Sequence, residues 1–316
     1  MGDAFDSRKG VDYSALEWAQ TYIFNPLRDY EVHLIAGNHD CYYKSHNDTN
    51  SIEVLLKEYE NIATYSRPST VMLQGDCPVV LLPWVSADLK AEAIESLKDT
   101  VKYPGDYLFG HLELDGFSPY KGMTFTSSSK DRFGSLSNRA LFDRFKKVFS
   151  GHFHTRSDDG HIFYIGNPYE IRWNDVHDQR GFMLFETETG KCKYVNNPYT
   201  LFDILEWTEN EEENLKLKVE PYINKFIQLR VSSKPDPVTL YSYVSRLTEA
   251  GALGVKVVDN SMMREEEGVE VDTSLVNEDT MALITKYLNV AEIESQGLNP
   301  KRIQQLIADI YTEASI

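Results

Sequence analysis

The chain is poor in cysteine: its 316 residues include only Cys41, Cys77 and Cys192, scattered, odd in number and without a C-x-x-C spacing. This excludes a disulfide framework, a sulfur-ligated zinc ribbon and a dithiol redox motif. Reduced thiols in a cytoplasmic protein are the expectation. Also missing is any window near the roughly 18 consecutive apolar residues that span a bilayer. The opening Met1–Asp6 has no apolar core of a secretory signal, and Asp6 stands where a myristoylation motif requires Ser or Thr. No membrane contact is expected. Positive charge is scarce as well, since 32 Lys and Arg against 49 Asp and Glu leave a net charge of −17. That balance excludes a broad basic surface able to grip nucleic acid unaided.

One stretch departs from the acidic average. Residues 117–150 hold Lys121, Lys130, Arg132, Arg139, Arg144, Lys146 and Lys147 against Asp131 and Asp143, a local excess of five positive charges (7 − 2). It either contacts phosphates, with Lys121, Lys130, Arg132 and Arg139 as candidates, or forms a solvated loop and helix face.

The 41% hydrophobic content suffices for a large core. Short apolar runs at 32–36, 79–83, 107–110, 148–151, 162–166 and 182–185 alternate with helical patterns at 13–22, 52–59 and 88–98. This alternation predicts a layered α/β or α+β domain. After Tyr199 an acidic segment precedes the strand-like 226–231, the helical 240–249 and the strand-like 255–258, which together fit a small β-α-β domain. Residues 264–272 are dominated by glutamate and aspartate and read as a linker. Two amphipathic helices come next, the second opened by Asn299-Pro300.

Four glycine-led signatures fall at or just after the ends of expected strands: Gly2-Asp3-Ala4-Phe5-Asp6, Gly37-Asn38-His39-Asp40, Gly110-His111-Leu112-Glu113 and Gly151-His152-Phe153-His154. In each, glycine permits a sharp turn and the residues after it offer oxygen or imidazole nitrogen. Carboxylate, amide and imidazole without thiolate suit Mn²⁺, or Fe²⁺ and Zn²⁺, better than a structural zinc. An isolated Gly-His or Gly-Asp pair is ordinarily a turn; four together are a metal site. His33, inside an apolar strand, is read as structural, and His161 and His177 as solvated loop residues.

The order G-D-x-x-D, G-N-H-D, G-H-x-E, G-H-x-H resembles the calcineurin-like metallophosphoesterases, and within them the SbcD or Mre-eleven DNA nuclease branch. The form Gly37–Tyr43, Leu82-Pro83-Trp84 and a terminal helical hairpin is similar to the recombination exonuclease subunits of tailed phages. The resemblance implies a four-layer α/β sandwich and two divalent ions, most often Mn²⁺. Asp3 would bridge the ions, Asn38, His111 and His152 would complete one, and His154 would bind the other. His39 would protonate the leaving oxygen with Asp40 holding its imidazole, and Asp6 would stand at a DNA-positioning place.

The implied domains are 1–200 for the nuclease, 201–262 for a capping and DNA-binding unit, 263–274 for the acidic linker and 275–316 for a hairpin that docks on an SbcC-type coiled-coil ATPase. A hairpin folded onto its own core is the alternative. DNA as substrate, a homodimer formed by helices such as 13–22 and 52–59, and a phage protein working in the host cytoplasm are further implications. The apolar faces of those helices are equally consistent with packing inside one chain.

Family members open with a strand ending in D-x-H, whereas Met1 here directly precedes the second motif. A truncated reading frame, a segment supplied by another chain and a degenerate subunit are the three explanations, with the first preferred. The polypeptide alone is then expected to be weakly active or inactive. A non-catalytic scaffold and a small-substrate metallophosphoesterase are the competing functions.

Overall fold

A computed structural model describes residues 1–73, 76–119, 125, 136, 139–207, 218–231 and 236–259. The chain divides after Val258 into two units, and the sheets and helices of the described residues fall in the first, Met1–Val258, with β-structure ending at Asp259. Among the described residues no helix is long and apolar enough to cross a membrane.

The architecture is mixed α/β. Its largest element is a six-stranded sheet in the order β3 (Ser69–Leu73), β4 (Cys77–Leu82), β5 (Tyr107–Gly110), β6 (Lys147–Ser150), β8 (Ile162–Tyr164), β7 (Ser157–Asp158). The four inner strands are parallel, and β3 and β7 are antiparallel additions at the edges. Parallel strands buried on both faces read as continuous apolar runs, as Val79–Leu82 and Tyr107–Phe109 do. On one face Val80, Leu82, Leu108 and Val148 pack with Ala93 and Leu97 of α3 (Lys90–Lys98). On the other, Val79, Leu81 and Tyr107 meet Ile35, Tyr65 and Phe185.

Ile35 belongs to β1 (Val32–Ile35), which pairs in parallel with β2 (Ile62–Tyr65). Phe185 belongs to β9 (Gly181–Glu186), the partner of the antiparallel β10 (Lys191–Asn196). Its ring lies against Tyr107, Phe109 and Phe149 with centroids 4.7, 6.2 and 5.0 Å away. A second core under α1 (Tyr13–Ala19) and α2 (Ser51–Leu55) gathers Phe5, Phe24, Ile52, Leu56, Tyr59 and Trp84.

A smaller sheet, β11 (Phe202–Trp207), β12 (Phe226–Val231) and β13 (Gly254–Asp259), is covered by α4 (Pro237–Glu249) through Tyr243 and Leu247. The expected β-α-β is therefore present, but with β11 added in parallel to β12. The expected helix over 13–22 stops at Ala19 and passes into a π-turn over Gln20–Phe24. That over 52–59 is shorter, and Leu56 and Tyr59 end it buried in the second core. The acidic linker and the terminal hairpin lie outside the described residues.

Candidate metal centre

Three loops at the carboxyl ends of strands build the site. β1 leads into Ala36–Asp40, β5 into His111, and β6 into Gly151–His154. In parallel sheets these ends collect ligands because each loop leaves the sheet on the same side. Backbone hydrogen bonds lock the loops to one another: the N–H of His111 donates to Leu82 and that of Gly151 to Gly110. Asp3 reaches the same place from the amino-terminal segment in a left-handed conformation, φ 56°. Gly37 permits the approach, since a Cβ there would collide with the carboxylate and backbone nitrogen of Asp3.

Four side chains converge. Asn38 Oδ1 lies 2.9 Å from His111 Nε2 and 2.9 Å from His152 Nδ1. These two ring nitrogens are 3.0 Å apart, and Asp3 Oδ2 is 3.3 Å from His111 Nε2. Two donors in adjacent positions on an ion at about 2.1 Å stand about 3 Å apart. The donor set therefore has the spacing that one cation imposes.

Each imidazole is also oriented from behind. His111 Nδ1 is 2.9 Å from the Met1 carbonyl, which assigns its proton to that nitrogen and turns the Nε2 lone pair inward. His152 Nε2 lies 3.2 Å from Glu113, which turns its Nδ1 lone pair inward. Carbonyl or carboxylate support behind a ligating histidine is the usual arrangement at metal sites. His152 holds this pose at φ 78°, a left-handed conformation costing about 1–3 kcal/mol for a non-glycine residue.

The electrostatics agree. Burial pushes the Asp3 carboxyl up, but neighbouring His111 and the N–H of His39 hold it well below the usual carboxylate range. Burial lowers the imidazoles of His152 and His154, keeping both neutral and able to donate a lone pair. Asp3, His111 and His152 form the cluster suited to a divalent ion. His154 lines the same cavity of about 340 Å³, together with Asp3, Asn38, His39, Glu113, His152 and Arg172.

The chain is 30% identical to exonuclease subunit 1 of Enterobacteria phage T4, over 319 residues covering 99% of this chain and 86% of that protein. It belongs to the exonuclease subunit 1 family. No family model matches the chain.

Within this member of the exonuclease subunit 1 family the expected residues take unequal roles. Asp40, expected behind the His39 ring, instead accepts hydrogen bonds from the backbone N–H of Asp3 (2.7 Å), Ala4 (3.0 Å) and Gly37 (2.8 Å) and from the Ser51 hydroxyl (3.0 Å). It is the buried clasp that joins the first two motifs, and burial raises its pKa. The His39 ring is held by Asp6, whose carbonyl lies 2.5 Å from Nδ1, while the exposed Asp6 carboxylate stands 4.0 Å from the same atom.

The described part of the basic stretch is engaged within the fold. Arg139 pairs with Asp159 and lies over Phe117. Arg144 donates to the carbonyls of Leu97, Gly105, Ser96 and Tyr103. Lys146 pairs with Asp106 at 2.6 Å. Lys121, Lys130 and Arg132 lie outside the described residues.

His161, expected to be solvated, instead has its Nε2 2.7 Å from the Phe145 carbonyl. His33 is 2.9 Å from the Tyr65 hydroxyl. Sequence reasoning gave no role to Glu113, although it closes the Gly110–Glu113 motif, and overlooked Arg172, Asp175 and Arg180, which carry no local signature.

Proposed function

We propose that the chain is the nuclease subunit of a metal-dependent DNA exonuclease and endonuclease of the SbcD and Mre-eleven branch of the calcineurin-like metallophosphoesterases. One observation carries this reading: Asp3, Asn38, His111 and His152 turn their donor atoms onto one point beside His39. The T4 relative's name, an exonuclease subunit, supports both the reaction and the existence of a partner.

Asp3, Asn38, His111 and His152 would hold one ion, with Asp3 shared and His154 toward a second; Mn²⁺ suits these donors. The bound ions would supply an activated water and positive charge at the leaving oxygen. His39 protonates that oxygen. The Asp6 carbonyl keeps the Nδ1 proton, so the proton transferred leaves from Nε2 and the neutral ring remains hydrogen-bonded. Asp40 holds the backbone on which Asp3 and His39 are mounted.

The same reading assigns residues 1–200 to a four-layer nuclease domain, 201–262 to a capping domain and 263–274 to a linker. It also assigns 275–316, which lie outside the described residues, to a hairpin that would dock on an SbcC-type ATPase, in DNA repair, recombination and replication. A homodimer through the 13–22 region fits the exposed Trp18 and Tyr22, 55% and 65% accessible.

The competing reading is a scaffold that holds DNA and the ATPase without cutting. It draws support from the single ligand cluster found among the described residues, one ion's worth. Degradation of end-labelled duplex DNA with Mn²⁺ decides between them, using chelator and His39→Ala as controls and the ATPase partner in parallel. Metal-dependent cutting lost in His39→Ala establishes the nuclease. No cutting in any arm establishes the scaffold. Preference for a small aryl phosphate over DNA ends would replace both with a small-substrate phosphoesterase.

A further inference from the structure

Arg172 lines the cavity that holds Asp3, Asn38, His39, His152 and His154. Among the described residues of that lining, Asp3 and Glu113 are acids, three are histidines, and Arg172 is the one that carries a permanent positive charge. Resting on the nuclease reading, we infer that Arg172 binds a non-bridging oxygen of the phosphate undergoing hydrolysis.

The arginine is mounted on a turn tied to the metal loop. The backbone N–H groups of Ile171 and Arg172 both donate to Asp175 Oδ2, at 2.9 and 3.1 Å, and the N–H of Asp175 returns to the Arg172 carbonyl at 2.9 Å. The other oxygen of Asp175 takes a 2.9 Å bond from Arg180 Nη2, and both side chains are almost wholly buried. Arg180 Nη1 donates in turn to the carbonyl of His154. Its Nη2 also reaches Asp178 at 2.9 Å, and Asp178 accepts from Thr155 at 3.2 Å. One buried guanidinium therefore fixes both the backbone that carries His154 and the turn that carries Arg172. Buried ion pairs add little net stability, and breaking one leaves an uncompensated buried charge. Here the geometry set is the placement of the turn bearing Arg172 against the loop bearing His154.

The chemistry calls for such a cation. A phosphodiester brings one negative charge toward Asp3 and Glu113, and hydrolysis places further charge on the non-bridging oxygens. A guanidinium presents paired N–H donors that match two phosphate oxygens and stabilise that charge as it forms.

The test uses the full chain with Arg172→Ala and Arg172→Lys. Mn²⁺ affinity is measured by calorimetry, inorganic phosphate affinity in the presence of Mn²⁺ by equilibrium dialysis, and DNA cleavage with and without added guanidinium. Arg172→Ala is expected to keep Mn²⁺ affinity within about twofold while weakening phosphate binding about tenfold or more. It should also slow cleavage by about 10²–10³-fold, with partial rescue by guanidinium. Arg172→Lys keeps the charge but not the fork and should recover only a minor part of the loss. Phosphate binding that is equal in parent and Arg172→Ala, or absent from the parent, overturns the inference. So does a parallel loss of Mn²⁺ affinity, which marks a structural role. Arg172-dependent phosphate binding in a parent that does not cut DNA leaves this site standing and removes the nuclease reading instead.

Discussion

His152 sits in left-handed backbone space with a carboxylate behind its ring, an arrangement that costs stability unless a ligand exploits it. Glu113→Gln keeps the shape but removes the charge that supports the His152 N–H. Calorimetry with Mn²⁺ should show affinity reduced by about 10–100-fold, the usual effect of removing a partner behind a metal ligand. A change under twofold would mean that Glu113 does not orient the ring.

Cys41 offers a second residue-level expectation. Burial, with nearby Asp40 adding to it, pushes its thiol from 9.0 up to about 12. The folded state therefore favours the protonated thiol. That contribution is complete below the unfolded thiol's pKa and is lost as pH rises from 9.0 toward about 12. Urea midpoints of the parent should fall more steeply across this alkaline range than those of Cys41→Ala. Alkylation at pH 8 followed by mass spectrometry should leave Cys41 unmodified until the protein is unfolded.

At the scale of elements, the β9–β10 hairpin covers the six-stranded sheet largely through one ring. Phe185 touches Tyr107, Phe109 and Phe149, so Phe185→Ala removes contacts from three aromatic neighbours at once. Urea unfolding should show a loss of about 3 kcal/mol, the lower end for a phenylalanine truncation because Phe185 is only half-buried.

The principal strands were legible because their apolar runs are continuous, as a doubly buried parallel sheet requires. The short helices were harder to bound. α2 opens on Asn50, whose side chain accepts from the Glu53 N–H at 2.9 Å, but it closes after five residues because Leu56 and Tyr59 turn into the second core. β2, β3 and β11 were not legible because each takes its pairing from a neighbouring strand, with little periodicity of its own.

For the whole molecule the dominant quantity is the net charge of −17. Arg139 and Lys146 are held in surface ion pairs and Arg144 in carbonyl contacts, so these described cations of the basic stretch are already partnered by the protein. Each phosphate neutralised lowers affinity about fourfold between 50 and 200 mM salt. Fluorescence anisotropy of the chain alone on duplex DNA should therefore show a loss below about twentyfold over that range, steepening when the proposed ATPase partner is added. A loss above a thousandfold for the chain alone would place a basic surface here that this charge balance does not support.

The sequence by itself named candidate donors: four glycine-led signatures carry Asp3, Asn38, His111, His152 and His154, and the structure brings the first four side chains together. It did so because turn chemistry and donor identity are local properties. Only the tertiary structure decided which atoms face inward, that Asp6 rather than Asp40 holds the His39 ring, and that Arg180 ties the turn of Arg172 to the loop of His154. Those decisions rest on pairs such as Asn38 and His152, 114 residues apart. Contacts of that kind form only when packing closes the sheet, so no window of sequence contains them.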